Sequence, residues 1–288
     1  MSATPIVWTP RSALNARPEP QARRSISLEA RVALGVVGAA WLASGVEIDW
    51  AALRAERVVY EDDAALVLDK PAGVALTGAR DGVDIVAAAK AAGEWLQPAH
   101  RLDRVTSGAV LWARTPEAHG PLTQQFRDRS VDKEYLAIVE GCDLPERGTI
   151  DLPLRAGRKN TVRVAAPRDS IVFDEWALRW WAPEPFSDDA RAATTQFERV
   201  WAGEARSLLR VRPTTGRRHQ IRVHFAWIGH PVVGDPLFGD PGSRTALHSL
   251  RLVFDSPASD ASERVDVRCE PDDAFWHPIA DAGRRRLA

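Results

Sequence analysis

Between Arg57 and Arg212 the apolar runs are short, and turn residues cut them every few positions. Val58-Val59-Tyr60 and Ala65-Leu66-Val67-Leu68 flank Glu61-Asp62-Asp63 and read as two strands around a turn. Ala109-Val110-Leu111-Trp112-Ala113 reads as a short buried strand, and Glu134 to Val139 as another, closed by Gly141. Two helical stretches interrupt them. Val83 to Gly93 is alanine-rich with a glycine at its end, and Pro116 to Arg127 follows Thr115 as a cap, with proline at the first helical position. Short strands and turns then alternate up to Arg212, with a polar, exposed loop predicted from Pro183 to Arg191. No regular βαβ pattern and no repeat of solenoid length is present. The predicted class is therefore α+β, a mostly antiparallel mixed sheet with flanking helices and loops.

Composition excludes several classes. With 45% apolar and 27% charged residues, the 288-residue chain has the means to bury a core. A net charge of −1 rules out a polycation, so affinity for nucleic acid has to come from local patches. Cys142 and Cys269 lack a metal-site spacing and read as free thiols in a reducing compartment. No apolar run reaches the ~20 residues of a membrane span, and no signal segment begins at Met1. The expected location is the cytoplasm and the expected state a monomer. Residues 1–26, with four prolines and no periodicity, read as a disordered or loosely attached tail. Residues 27–55 read as a helical extension, with Ser27-Leu28-Glu29-Ala30 opening a helix to about Ala43.

Chemistry concentrates first in His100-Arg101-Leu102-Asp103-Arg104-Val105-Thr106-Ser107-Gly108. One carboxylate stands between two guanidiniums in a predicted loop ahead of a strand, a rigid place for a reactive group. A nearby cation keeps a carboxylate ionised, which suits a nucleophile or base better than a general acid. From these residues alone, an aspartate holding its own turn is the simpler reading.

A second concentration runs from Arg206 to Arg222, where six arginines (206, 210, 212, 217, 218 and 222) occur without an acid. Arg155, Arg158, Lys159, Arg163 and Arg168 form another run. A solvated charged face is the usual source of such runs; a phosphate-binding groove is the sharper reading, because the guanidinium fork binds phosphate bidentately. Residues 219–228 fit a strand by alternation or a helix by the spacing of Ile221, Phe225 and Ile228. The stop at Gly229 and Pro231 favours helix, with Arg218 and Arg222 on one face. His219, His224, His230 and Asp235 invite a metal site, but histidines five apart lie about 140° apart on a helix. No metal and no cofactor is expected.

Together these stretches carry a resemblance. His-Arg-Leu-Asp-x-x-Thr-Ser-Gly resembles the signature of the RluA-type RNA pseudouridine synthases. Asp69-Lys70-Pro71-Ala72-Gly73-Val74, Asp132-Lys133-Glu134-Tyr135-Leu136-Ala137 and Thr215 to His224 match further motifs of that family, in its order. Gly229-His230-Pro231, Gly234-Asp235 and Leu247-His248-Ser249 continue the match, which spans roughly residues 56 to 255. The resemblance implies a pseudouridine synthase-like catalytic domain over 56–288, and no S4 RNA-binding module is recognised before it. It implies Asp103, Tyr135 and Arg222 as catalytic residues, with Arg222 against Asp103 and Tyr135 stacked on the target uracil. It also implies Arg101, Lys133, Arg217, Arg218, His219 and Gln220 on the RNA side, and ribosomal or transfer RNA as the partner. The implied reaction turns uridine into pseudouridine, with Asp103 either attacking C1′ or removing the C2′ proton. A non-catalytic RNA-binding protein on the same fold is the alternative. A glycosidase would need a second acid as proton donor and no arginine runs.

Overall fold

The structure, a computed structural model, describes residues 48–79, 84–157, 161–184, 186–258, 263–279 and 284. The expected tail over 1–26 and the helix over 28–43 lie outside the described residues, as do Arg158 and Lys159. The first described helix, α1 (Trp50–Arg57), starts where the Asp49 carboxylate accepts the Ala52 N–H. Trp50 and Leu53 are buried against the strands that follow, so the expected division at residue 56 falls inside this helix. β1 (Val58–Glu61) and β2 (Ala65–Lys70) form the predicted hairpin. α2 (Ile85–Ala91) is capped by Asp84 and ends before Gly93 at φ +80°; Val83, its expected start, is outside the described residues.

The short β3 (Gln97–Pro98) leads into the Asp103 loop and then β4 (Ser107–Ala113), all seven of whose residues are buried. The strand starts two residues earlier than its apolar run, because Ser107 and Gly108 pair with the last long strand. α3 (Pro116–Asp128) has the predicted Thr115 cap and initial proline, and β5 (Asp132–Glu140) follows. Then come β6 (Arg147–Asp151), β7 (Leu154–Ala156), β8 (Val162–Val164), β9 (Val172–Asp174), β10 (Arg179–Trp181), β11 (Thr194–Ala202) and β12 (Arg206–Pro213). α4 (Gln220–Trp227), β13 (Leu247–Ser256), β14 (Glu263–Arg268) and α5 (Asp273–Trp276) complete the described elements.

One sheet runs β1-β2-β4-β13-β5-β12-β11-β6-β10-β9, with β3 and β14 attached at its sides. Most pairs are antiparallel; β4 with β13 and β6 with β10 are parallel. The fold is α+β with few helices, as the broken apolar pattern predicts. Strand alternation assigns each β5 residue to a face. Tyr135, Ala137 and Val139 pack on the α4 side, while Leu136 and Ile138 pack with Phe275 and Trp276. Likewise β4 presents Val110 and Trp112 to α1 and α2, and Ala109, Leu111 and Ala113 to α3. Gly108, at φ +102°, lies so close to β13 that a Cβ would overlap the Ser249 backbone; only glycine permits that approach.

Lys70 ties this framework to the loop that carries Asp103. Its fully buried ammonium donates to the carbonyls of Pro71 (2.7 Å), Val74 (3.0 Å) and Arg104 (3.2 Å). Burial pushes the Lys70 pKa down to about 7, against the pull of Asp103 and Asp69. Replacing it with methionine removes three hydrogen bonds at once. Lys70→Met is expected to lose on the order of 3 kcal/mol in denaturant unfolding; an unchanged midpoint would contradict the clasp.

Two buried histidines give a pH signature. His224 Nε2–H donates to the Leu152 carbonyl and Nδ1 accepts from the Thr195 hydroxyl, both at 2.9 Å; burial pushes its pKa down to about 4. His100 accepts the Leu111 N–H at 3.0 Å, and burial pushes it down to about 3. Both are neutral when folded and take up protons more readily when unfolded. Their contribution is complete above the ordinary value of 6.5 and is lost as pH falls below it. Unfolding free energy should drop by roughly 2–4 kcal/mol between pH 7 and pH 5, read from guanidinium midpoints; a flat profile would show that these rings are not neutral and buried.

Candidate active site

The Asp103 loop is pinned from two sides. The Gly73 N–H donates to the Arg104 carbonyl and Arg104 Nε donates back to the Gly73 carbonyl, each at 2.7 Å. Arg104 therefore points to the neighbouring turn and does not flank the Asp103 carboxylate as the sequence suggested. Inside the loop, Thr106 N–H donates to the Asp103 carbonyl at 3.1 Å. The Asp103 side chain is left facing a cleft of about 370 Å³, a size suited to one nucleoside.

Its partner is Arg222 on α4. Arg222 Nη1 donates to Asp103 Oδ2 at 2.9 Å, the pair the resemblance implied. The same guanidinium donates twice to Asp235, from Nε to Oδ2 and from Nη2 to Oδ1, both at 2.7 Å. Asp235 is fully buried and also accepts the Leu237 and Phe238 N–H groups. Burial pulls the Arg222 pKa down, but its hydrogen bonds and charge contacts with Asp235, then Asp103, outweigh this and leave it raised. The three groups form one buried ionic unit with a single cation and two anions.

α4 is buried from Gln220 to Ala226, although three of these residues are polar. Such a helix is stable only if every polar group is satisfied. Arg222 has its carboxylates and His224 its hydroxyl and carbonyl. The Gln220 amide donates to the Thr194 carbonyl and the Thr195 hydroxyl, and accepts from Thr215 and the Arg217 N–H. Gln220, expected on the RNA side, lines the cleft, and its polar atoms hold the 215–217 turn onto β11.

His219 precedes the helix at φ +54°, a left-handed conformation rare outside glycine, and its Nε2 lies 3.7 Å from Asp103 Oδ1. Burial holds its pKa below the ordinary value despite the pull of Asp103, with Arg222, Arg218 and Arg101 adding to the lowering. Arg218 stands before the left-handed residue, outside the helix, so the expected shared face with Arg222 does not exist. Tyr135 lines the cleft beside Asp103; burial first, then the Asp103 charge, pushes its phenol up to about 12, so it stays protonated. Arg101, Lys133 and Arg217 also line the cleft, and Arg217 Nε donates to the Ala192 carbonyl at 3.1 Å.

The arginine run divides. Arg206 pairs with Glu140, and Arg210 and Arg212 both pair with Glu134, on the face of the sheet away from Tyr135. Their acids sit on β5, which a reading along one segment cannot see. In the second run, Arg155 and Arg163 are cross-strand neighbours, while Arg168 donates to the Ala226 carbonyl and lies over the Trp227 ring. The latter closes the C-terminal end of α4. No group of three or more His, Cys, Asp or Glu among the described residues is placed to hold a metal ion. No helix among the described residues is long and apolar enough to cross a membrane.

Sequence reasoning missed Asp235 as the second partner of Arg222 and Lys70 as the loop clasp. The signal for Asp235 was the glycine before it: Gly234 has φ +72°, and a Cβ there would overlap the Arg244 carbonyl. Such a turn fixes where the following carboxylate points.

Residues 64–227 match the family model described as RNA pseudouridylate synthase. An uncharacterised RNA pseudouridine synthase of Zymomonas mobilis is 38% identical over 212 residues, covering 69% of this chain and 88% of that protein. The ribosomal large subunit pseudouridine synthase D of Pseudomonas aeruginosa is 32% identical over 265 residues, 82% of this chain and 72% of that one. The solved structure of human RNA pseudouridylate synthase domain containing 4 covers 83% of this chain and 95% of its own, with a TM-score of 0.63. At 22% identity that likeness speaks for the fold. With the family model spanning more than half its length, and close sequence relatives along most of theirs, the chain belongs to the RluA-type RNA pseudouridine synthases, which are isomerases.

Proposed function

We propose that this chain isomerises specific uridines of a structured RNA to pseudouridine, with Asp103 as the catalytic carboxylate. The observation that carries the reading is a carboxylate held by a buried, doubly paired arginine at the wall of a nucleoside-sized cleft. The N1–C1′ bond breaks, the uracil turns, and C5 bonds to C1′; C5 gives up its proton and N1 ends protonated. The reaction is an isomerisation without net oxidation or hydrolysis. Asp103 is a base or nucleophile, either removing the C2′ proton or attacking C1′, with its carboxylate oriented by the hydrogen bond from Arg222. Tyr135 offers its ring face to the flipped uracil.

We infer ribosomal RNA as the substrate class, supported by the relative named for the ribosomal large subunit; transfer RNA is the other outcome of the test. Both cysteines are unpaired, which supports the cytoplasm as its compartment. Pseudouridines mapped with and without the gene identify the RNA. Purified Asp103→Asn should form no pseudouridine while binding RNA about as tightly as the parent. Substantial turnover by that variant would remove Asp103 from the chemistry, and RNA binding without turnover by the parent would leave a non-catalytic binder.

Asp235 and Arg222 are expected to act through position. Removing the Arg222 charge would strand Asp235 in the core, so the informative variants keep the packing. Asp235→Asn and Arg222→Lys each break the bidentate fork. Both should retain RNA affinity and lower the single-turnover rate by about 100-fold, the cost of roughly 1 Å of misplacement. A loss confined to affinity would place the pair on the binding side.

A further inference from the structure

The structure assigns a phosphate subsite to Lys133 and Arg129, one step along β5 from Tyr135. Strand alternation puts Lys133 on the same face as Tyr135, towards the cleft, while Glu134 faces the other way into Arg210 and Arg212. On that far face the arginines have carboxylates. On the cleft face, Lys133 and Arg129 have no side-chain hydrogen bond or ion pair among the described residues. The acids nearest in sequence are occupied: Asp132 pairs with Arg264 at 3.2 Å, and Asp128 accepts from Gln124 at 2.8 Å.

This arrangement is costly without a ligand. Lys133 is half-buried, and its pKa is lowered by burial and by the neighbouring Arg129 guanidinium. Arg129, the left-handed residue that ends α3 at φ +60°, carries that guanidinium to the cleft wall. Opposite them stands Gly216, where a Cβ would lie 3.9 Å from Lys133 Nζ, leaving space beside the ammonium. Two adjacent cations at the cleft wall, with no anion paired to them among the described residues, make a receptor for a tetrahedral oxyanion. Two residues of strand span about 6.6 Å, the reach of one nucleotide. An RNA phosphate next to the target uridine fits that spacing, whereas a free phosphate ion would use the charges but not the distance.

The inference deepens the RNA reading and rests on it for the identity of the anion. A ten-nucleotide oligouridylate is the probe, with binding followed at several salt concentrations and the full chain used throughout. Each lost phosphate contact should flatten the slope of log affinity against log salt by about 0.7. Lys133→Gln with Arg129→Gln should therefore flatten it by about 1.4, whereas Arg210→Gln on the far face should leave it unchanged. Lys133→Arg should keep the parental slope; losing it there as well would mean packing, not charge, and overturn the subsite. A second arm needs no variant: oligouridylates carrying one neutral methylphosphonate at successive positions should include one that flattens the parental slope by about 0.7 and leaves the double variant's slope unaffected. If no position does so, the backbone-phosphate assignment falls, and inorganic phosphate competing at constant ionic strength would confirm that reversal. Failure of the proposed function is separable, since it shows as absent pseudouridine in RNA treated with the parent protein. Pseudouridine formed alongside unchanged slopes sinks the subsite alone.

Discussion

Everything at the cleft depends on one guanidinium shared by two carboxylates. Arg222 and Asp235 are buried deeply enough that each ion alone would cost several kcal/mol of lost hydration. Two parallel hydrogen bonds and two backbone N–H groups on Asp235 offset that cost. The remaining Nη1 hydrogen bond goes to Asp103, whose side chain is 13% exposed, against 0% for Asp235. The saturated carboxylate is thus an anchor, and the singly bonded one retains lone pairs and access. Asp103 Oδ1 accepts no hydrogen bond from Arg222 and has His219 Nε2 at 3.7 Å, so it stays open toward the cleft. A lone arginine without Asp235 would be free to swing or to pair fully with Asp103.

The sheet does a second kind of sorting. β5 alternates Lys133, Glu134, Tyr135 and Leu136, so neighbours in sequence serve opposite faces. Glu134 neutralises Arg210 and Arg212 behind the sheet, while Lys133 remains on the cleft side. A one-residue slip would exchange the two sets, burying the glutamate beside Asp103. The register is fixed by the long pairings of β5 with β12 and β13, and the contact of Gly108 with Ser249 brings the Asp103 loop to the same end.

Much of this was legible along the chain. Thr115 and Pro116 announce α3, and the apolar spacing from Ile221 with the stop at Gly229 announces α4. Those signals are local, and local chemistry decides caps and stops. What escaped reading depends on residues distant in sequence. The partners of Arg206, Arg210 and Arg212 lie on another strand, so a run without acids looked like a free cationic face. The bonds of Gln220 to Thr194 and Thr195 were not visible either, because those residues lie on another strand. Lys70 looked like part of a turn motif, and its task emerges only when Arg104 is brought beside it.

A cleft built around a carboxylate must still receive a polyanion, and the cations that line it make this possible. Asp103 alone would repel an approaching RNA backbone, at a separation where salt screening is incomplete inside a cleft. In the proposed subsite Lys133 and Arg129 draw the backbone, while the two carboxylates bound to Arg222 keep that guanidinium from becoming an equally strong attractor for phosphate. The backbone is held at one end and the base is left to reach the other, with the Tyr135 ring between them. Orientation in this proposal follows from charge placement on a rigid sheet, and it requires the cleft-side cations to remain unpaired until RNA arrives. The burial of Lys133 beside the Arg129 guanidinium is the stability the fold gives up to keep them so.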